Sequence, residues 1–367
     1  VTSAAFDLLC RMVRRALDAE EGVAGDPVPM GDVAARDLLA AVGRHRVPEL
    51  LRGQADALGL TPEVVTVLDA MREASRQRQL LHALETVRAW QLLTDAGIDA
   101  LVFKGIPLAV LTTGTPDARG AGDVDVLVRP GDTAATHRVL RAAGWQLHEA
   151  GRIEPEMWAW GYVVRWGRTL TYLGSGADVD LHWRLDTIPG AQPPTEDLMA
   201  RSVEVPVGGV RIPTLCPADA FHHLAAHREG WIWLRTLVDL RRLARDPSVH
   251  DQELGTPALT SLAVARATVG LPAGVPASLH AALDTVPAAA LVGAREQHLR
   301  PTSTWNGAGP LQDFRYGLAS ARRPRDLGHV AVGLVLPAHA ALQVTATSAW
   351  TGVPTALGRR ARRFTRR

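Results

Sequence analysis

Two short stretches restrict this chain more than any others: GDVDVLV at residues 122–128 and ADVDLHWRL at residues 177–185. Both alternate between apolar and polar residues, the first as far as Val126, with the period of a strand with one covered face. In the first, Val124, Val126 and Val128 share one face, and Asp123 and Asp125 share the other. In the second, Val179, Leu181, Trp183 and Leu185 oppose Asp178, Asp180, His182 and Arg184. Such strands need a layer packed on the apolar side. Carboxylates crowded on the polar side repel one another unless a cation stands among them. If the two strands are neighbours in one sheet, three or four carboxylates converge. That arrangement suits Mg²⁺, which takes a carboxylate or two together with water and phosphate oxygens. Its chemical use is two-metal phosphoryl transfer.

The segments around these strands set the expected organisation. Residues 1–97 repeat apolar positions at helical spacing, with Thr61 as an N-cap, Pro62 at the first helical position and Gly97 as a stop. Residues 98–215 read as a mixed α/β unit. It opens with the strand IDALVFKG and a helix in IPLAVLTT, and later has a helix capped by Asp132. YVVRW and TLTYLG bracket Gly167-Arg168 and predict a hairpin. Residues 216–300 are helical in pattern, and 301–367 read as loosely ordered or partly helical, rich in Gly, Pro and Arg up to about residue 325 and ending in a basic tail. Lys104, at the end of the first strand, is the one lysine among 40 basic residues. It is followed by Gly105, at the start of the expected helix.

The run FKGIPLAVLTTGTPDARGAGDVDVLV followed by DVDLHWRL resembles the nucleotidyltransferase superfamily that includes DNA polymerase β. Within it, the chain is similar to a bacterial group of stand-alone nucleotidyltransferase-family proteins. In that group a Lys-Gly turn precedes an Arg-x-x-x-Asp-x-Asp strand, and a later strand reads Asp-Leu-His-Trp. Arg119, Asp123, Asp125, Asp180, His182 and Trp183 stand at the matching positions, and HHLAAHREGWIWLRTLVDLRRL resembles the helical segment that follows. The likeness spans residues 80 to 245 or so. Better-known relatives carry Gly-Ser or Gly-Gly where this chain has Gly105-Ile106.

The resemblance implies an α+β fold: a minimal nucleotidyltransferase α/β core with a mixed sheet, flanked by N-terminal and C-terminal helical segments. It implies transfer of a nucleoside monophosphate from an NTP donor to a hydroxyl acceptor, with pyrophosphate leaving. Asp123, Asp125 and Asp180 would be the catalytic and metal-holding carboxylates for two Mg²⁺ ions, with Mn²⁺ as the alternative. Lys104, Gly105 and Arg119 would hold phosphates, and Asp178, His182, Trp183 and His227 would be accessory. The acceptor stays open among a small molecule, a peptide or protein, and a tRNA end. Two rivals stand beside this reading. One is a metal-dependent glycosyltransferase using Asp-x-Asp; the other is a non-catalytic nucleotide- or partner-binding protein on the same fold.

Other features carry less. His222, His223 and His227 lack the Glu of an HExxH pattern and a cysteine partner, so a packing or site-lining role is expected over zinc. Trp231 and Trp233 open a helix and are candidates for lining a pocket. Cys10 and Cys216 are too few and too distant for a disulfide framework, which favours a cytoplasmic setting. The N-terminal segment has arginines and acids where a signal peptide needs an apolar core, and no apolar run reaches transmembrane length. The tail LGRRARRFTRR is expected to be solvated and disordered, with RNA or an anionic membrane as its alternative contacts.

Overall fold

A computed structural model describes residues 1–120, 122–148, 153–227, 232–251, 253–300, 310–321 and 323–365. Helices α1 (Ser3–Glu20), α2 (Ala35–His45), α3 (Pro48–Gly53) and α4 (Ala55–Leu58) precede the long α5 (Pro62–Asp95). Strand β1 (Ala100–Phe103) runs into α6 (Gly105–Thr113), and β2 (Val124–Val128) into α7 (Thr133–Ala142). Next come β3 (Gln146–Leu147), α8 (Trp158–Trp166), β4 (Thr169–Leu173), β5 (Val179–His182) and α9 (Thr195–Ala200). A hairpin of β6 (Val203–Val207) and β7 (Val210–Thr214) follows. The helical stretch after it holds α10 (Pro217–Ala226), α11 (Leu234–Leu243), α12 (Thr256–Thr268), α13 (Ala277–Asp284) and α14 (Ala288–Leu299). Four C-terminal helices complete the order: α15 (Pro310–Ser320), α16 (Pro324–Val335), α17 (Ala338–Ala341) and α18 (Ala349–Thr365). The class is α+β, and no single helix among the described residues is long and apolar enough to cross a membrane.

Contacts gather the chain into two units. One comprises residues 1–81, 105–121 and 216–307. Among its described residues the regular elements are all helices, and its core includes the face of α1 formed by Phe6, Leu9, Met12, Val13 and Leu17. Arg241 and Arg242 on α11 are buried there because acids at the end of α1 meet them: Arg241 Nε donates to Glu21 at 3.0 Å and Arg242 Nη2 to Glu20 at 2.7 Å.

The other unit comprises residues 82–104, 122–215 and 308–367. Its five-stranded sheet has the order β1-β2-β5-β4-β3, with β2 and β5 parallel and every other neighbouring pair antiparallel. Val124, Val126, Val179 and Leu181 are buried on the apolar side of the two aspartate strands, as their alternation requires. On that same side of β4, Tyr172 lies 2.8 Å from His137 Nδ1 and ties α7 to the sheet.

Four local expectations are corrected. YVVRW belongs to helix α8, not to a hairpin arm, and β4 pairs with β5 and β3 instead. Ala159, Trp160 and Val163 bury one helical face, so tertiary packing overrides the β-propensity of Tyr, Val and Trp. Asp132 caps nothing with its side chain: it lies in a 3-10 turn with helical backbone (φ −91°, ψ −4°), whereas a capping residue needs an extended one. Residues 310–320 are helical as α15, within the stretch expected to be loose. The tail is helical through Thr365, because Val353 and Ala356 of α18 pack with Trp158, Tyr162 and Leu336.

Candidate metal and phosphate site

The site is assembled on the polar side of the sheet, where β1, β2 and β5 lie side by side. β1 ends at Phe103, and the chain then turns through two left-handed residues, Lys104 (φ 58°) and Gly105 (φ 39°). Glycine accepts that geometry, but a side chain with Cβ resists it by roughly 1–2 kcal/mol. Left-handed backbone is uncommon outside glycine and stores local strain. Here it delivers Lys104 Nζ to within 3.0 Å of Asp125 Oδ1.

Asp125 is the centre of the cluster. Only 2% of it is exposed, and it stands in register between Phe103 on β1 and Asp180 on β5. Its Oδ1 accepts from Lys104 and lies 3.0 Å from His182 Nε2. Its Oδ2 is buried and has no hydrogen-bond partner. Asp180 is steadied from its other flank by Thr171 on β4, whose Oγ1 donates to Asp180 Oδ1 at 2.5 Å. The His182 ring stacks edge-on against Phe103, with centroids 5.1 Å apart.

The titration behaviour follows from this crowding. Burial pushes the Asp180 carboxyl above the usual carboxylate range, with the charge of Asp125 adding to it and that of Asp123 contributing least. His182 is held well below the usual imidazole value, first by burial and then by the Lys104 ammonium. The neutral ring then carries its proton on Nε2, towards Asp125, and its Nδ1 is buried without a partner.

Donor atoms of Asp125, Asp180 and His182 all lie within 4.8 Å of one another. Two carboxylates with one imidazole beside them, one oxygen being orphaned and buried, fit a divalent cation. Lys104 and His182, both on Oδ1, orient Asp125 so that Oδ2 is the oxygen left to offer.

The remaining candidates fall in varied places. Asp123 is exposed, one residue before β2. Asp178 accepts the Gly174 N–H at 3.1 Å and so pins the turn from β4 to β5. Trp183 is fully buried on the apolar side, its indole N–H donating to the Val164 carbonyl at 2.8 Å. Arg119, in the helical unit, donates through Nε to Asp239 at 2.7 Å, and both side chains are buried. His227 follows α10 with its ring 5.4 Å from that of His223. Trp233 stands just before α11 and carries the Arg46 guanidinium over its ring at 4.1 Å, while Trp231 lies outside the described residues.

Two partners escaped the sequence reading. Thr171 was assigned to a hairpin, although the alternation Thr-Leu-Thr-Tyr-Leu already puts its hydroxyl opposite the buried Leu170 and Tyr172. Asp239 had a signal too, as an acid set within the apolar stripe of Leu237, Leu240 and Leu243.

No curated protein matches the chain. Residues 31–267, roughly two thirds of its length, match the family described as "uncharacterised nucleotidyltransferase", a span that contains every member of the aspartate cluster. The chain belongs to that nucleotidyltransferase family.

Proposed function

We propose that the protein is a Mg²⁺-dependent nucleotidyltransferase that moves a nucleoside monophosphate from an NTP to a hydroxyl acceptor. The observation that carries this reading is the in-register pair of Asp125 and Asp180 on parallel neighbours, with Asp125 Oδ2 buried and unpartnered. Asp125 and Asp180, joined by the exposed Asp123, would hold Mg²⁺, or Mn²⁺ in its place. When bound, the ions neutralise charge on the phosphates and on the attacking and leaving oxygens.

The chain's own groups divide the remaining work. Asp180, held in place by the Thr171 hydroxyl, takes the proton of the acceptor hydroxyl. The acceptor oxygen bonds to the α-phosphorus, the bond from that phosphorus to the bridging oxygen breaks, and pyrophosphate departs with the electron pair. Lys104 brings a compact positive charge for the departing phosphates, and its side chain, 20% exposed, keeps access to them. Gly105 opens the following helix at a turn where backbone can approach phosphate. His182 keeps Asp125 oriented. Arg119 is engaged by Asp239 inside the helical unit, and its phosphate role is left to the test below.

The Lys104–Asp125 pair favours one second reading. A lysine that already neutralises the central carboxylate suits a protein that binds nucleotide without turnover. The test is pyrophosphate release from each NTP with Mg²⁺ and fractionated cell extract as acceptor source, with Asp125→Asn alongside. Release by the parent, at least about a hundredfold faster than by the variant, supports transfer, and α-labelled NTP then marks the acceptor. Nucleotide binding without release across all fractions supports the second reading.

A further inference from the structure

The C-terminal helices carry a surface that the aspartate chemistry leaves unused. α16 is amphipathic in the reverse sense. Its acid, Asp326, is fully buried and accepts the Arg323 N–H at 2.9 Å, while Leu327, Val332, Leu334 and Val335 face outward, Val335 with 62% exposure. Ala331 is exposed as well. At about 3.6 residues per turn these residues form one unbroken arc. Trp350, at the start of α18, is 92% exposed.

Cations border this strip at both ends. Arg323 and Arg325 are exposed where α16 begins. Where it ends, Arg360 of α18 donates to the Leu334 carbonyl at 2.7 Å, which brings the basic end of α18 against the apolar strip. Arg359 and Arg362 are exposed on the same helix, and no acid follows Asp326 in the sequence.

We propose that this face docks on an anionic membrane surface, with the α16 strip and Trp350 entering the headgroup boundary and the arginines pairing with lipid phosphates. This goes beyond the nucleotidyltransferase reading and does not depend on it. The charge pattern decides between occupants. A second copy docked face to face would set arginines against arginines. A nucleic acid would meet the arginines but leave the aliphatic strip uncovered. A lipid interface takes both, since amphipathic helices bind there through an apolar face flanked by Lys or Arg, and indole rings anchor at headgroup level.

The test is co-sedimentation of the full chain with vesicles of phosphatidylcholine alone or mixed with phosphatidylglycerol. We expect sedimentation with the mixed vesicles only. Val332→Asp/Val335→Asp, both at exposed positions, should weaken it by at least about tenfold. Arg359→Gln/Arg362→Gln should weaken it by roughly fivefold for each arginine removed. Circular dichroism confirms that each variant is folded. The proposal is overturned if the parent sediments with neither vesicle, or if both variants sediment as the parent does. It is also overturned by retention on single-stranded RNA that only the arginine variant loses, with vesicle binding unaffected by the valine variant. A concentration-dependent dimer that the valine variant abolishes, without vesicle binding, assigns the face to a second copy instead.

Discussion

Arg119→Ala separates a structural arginine from a phosphate-binding one. In the helical unit, its guanidinium lies 2.7 Å from Asp239, with 7% and 0% of the two side chains exposed. Asp239 Oδ1 already lacks a partner. Removing Arg119 therefore leaves an ionised carboxylate buried with nothing to offset its desolvation, a loss of about 3–5 kcal/mol. Replacing both residues by apolar ones of similar volume, Arg119→Met/Asp239→Leu, removes charge and countercharge together and should fall near the parent or above it. Urea unfolding followed by tryptophan fluorescence reads the difference. With a slope of about 2 kcal/mol per molar urea, the single variant should move the midpoint down by roughly 1.5–2.5 M while the double variant stays close to the parent. A single variant within about 1 kcal/mol of the parent would falsify the buried-pair account and leave Arg119 available to phosphate. If the double variant is stable yet has lost NTP affinity, Arg119 does both jobs.

Divalent cations should raise the thermal midpoint of the parent, because binding to the folded state alone stabilises it by mass action, and Asp125→Asn should abolish the rise. His45 is fully buried, and burial, followed by the charge of His298, lowers its pKa from 6.5 to about 3. Its contribution to stability is complete above pH 6.5 and is lost as pH falls from there through 3, by up to about 5 kcal/mol, so His45→Gln should flatten the acid limb of a stability–pH curve. A methyl group on Gly174 would stand 2.4 Å from the Ala177 carbonyl and the Trp145 indole nitrogen, so Gly174→Ala should distort the turn into β5 and cost at least about 2 kcal/mol in urea unfolding.

The aspartate strands were legible because alternation is a local signal, and each residue's face follows from counting by two. Their adjacency was open in the sequence, because pairing across residues 125 and 180 depends on everything folded in the intervening chain. α8 was misread for a related reason. A short run of Tyr, Val and Trp satisfies strand propensity, and only the burial of Ala159, Trp160 and Val163 on one side makes it a helix. Lys104 was singled out as the one lysine, at a strand end, and by the Lys-Gly turn of the resemblance. That it meets Asp125 depends on the antiparallel register of β1 on β2, which no local pattern encodes. Arg119 was visible as a motif position, whereas Asp239, far along the chain, was needed to see what the arginine holds.

The parallel pairing of β2 with β5 also makes the site a product of long-range closure. α7, β3, α8 and β4 lie between them in the chain, so Asp125 and Asp180 meet only through one of the chain's non-local closures, the kind that forms slowly. Until then, neither acid has its neighbour. The cluster is thus an assembly checkpoint written into topology, since a chain that has not closed its sheet carries the full motif and none of the chemistry.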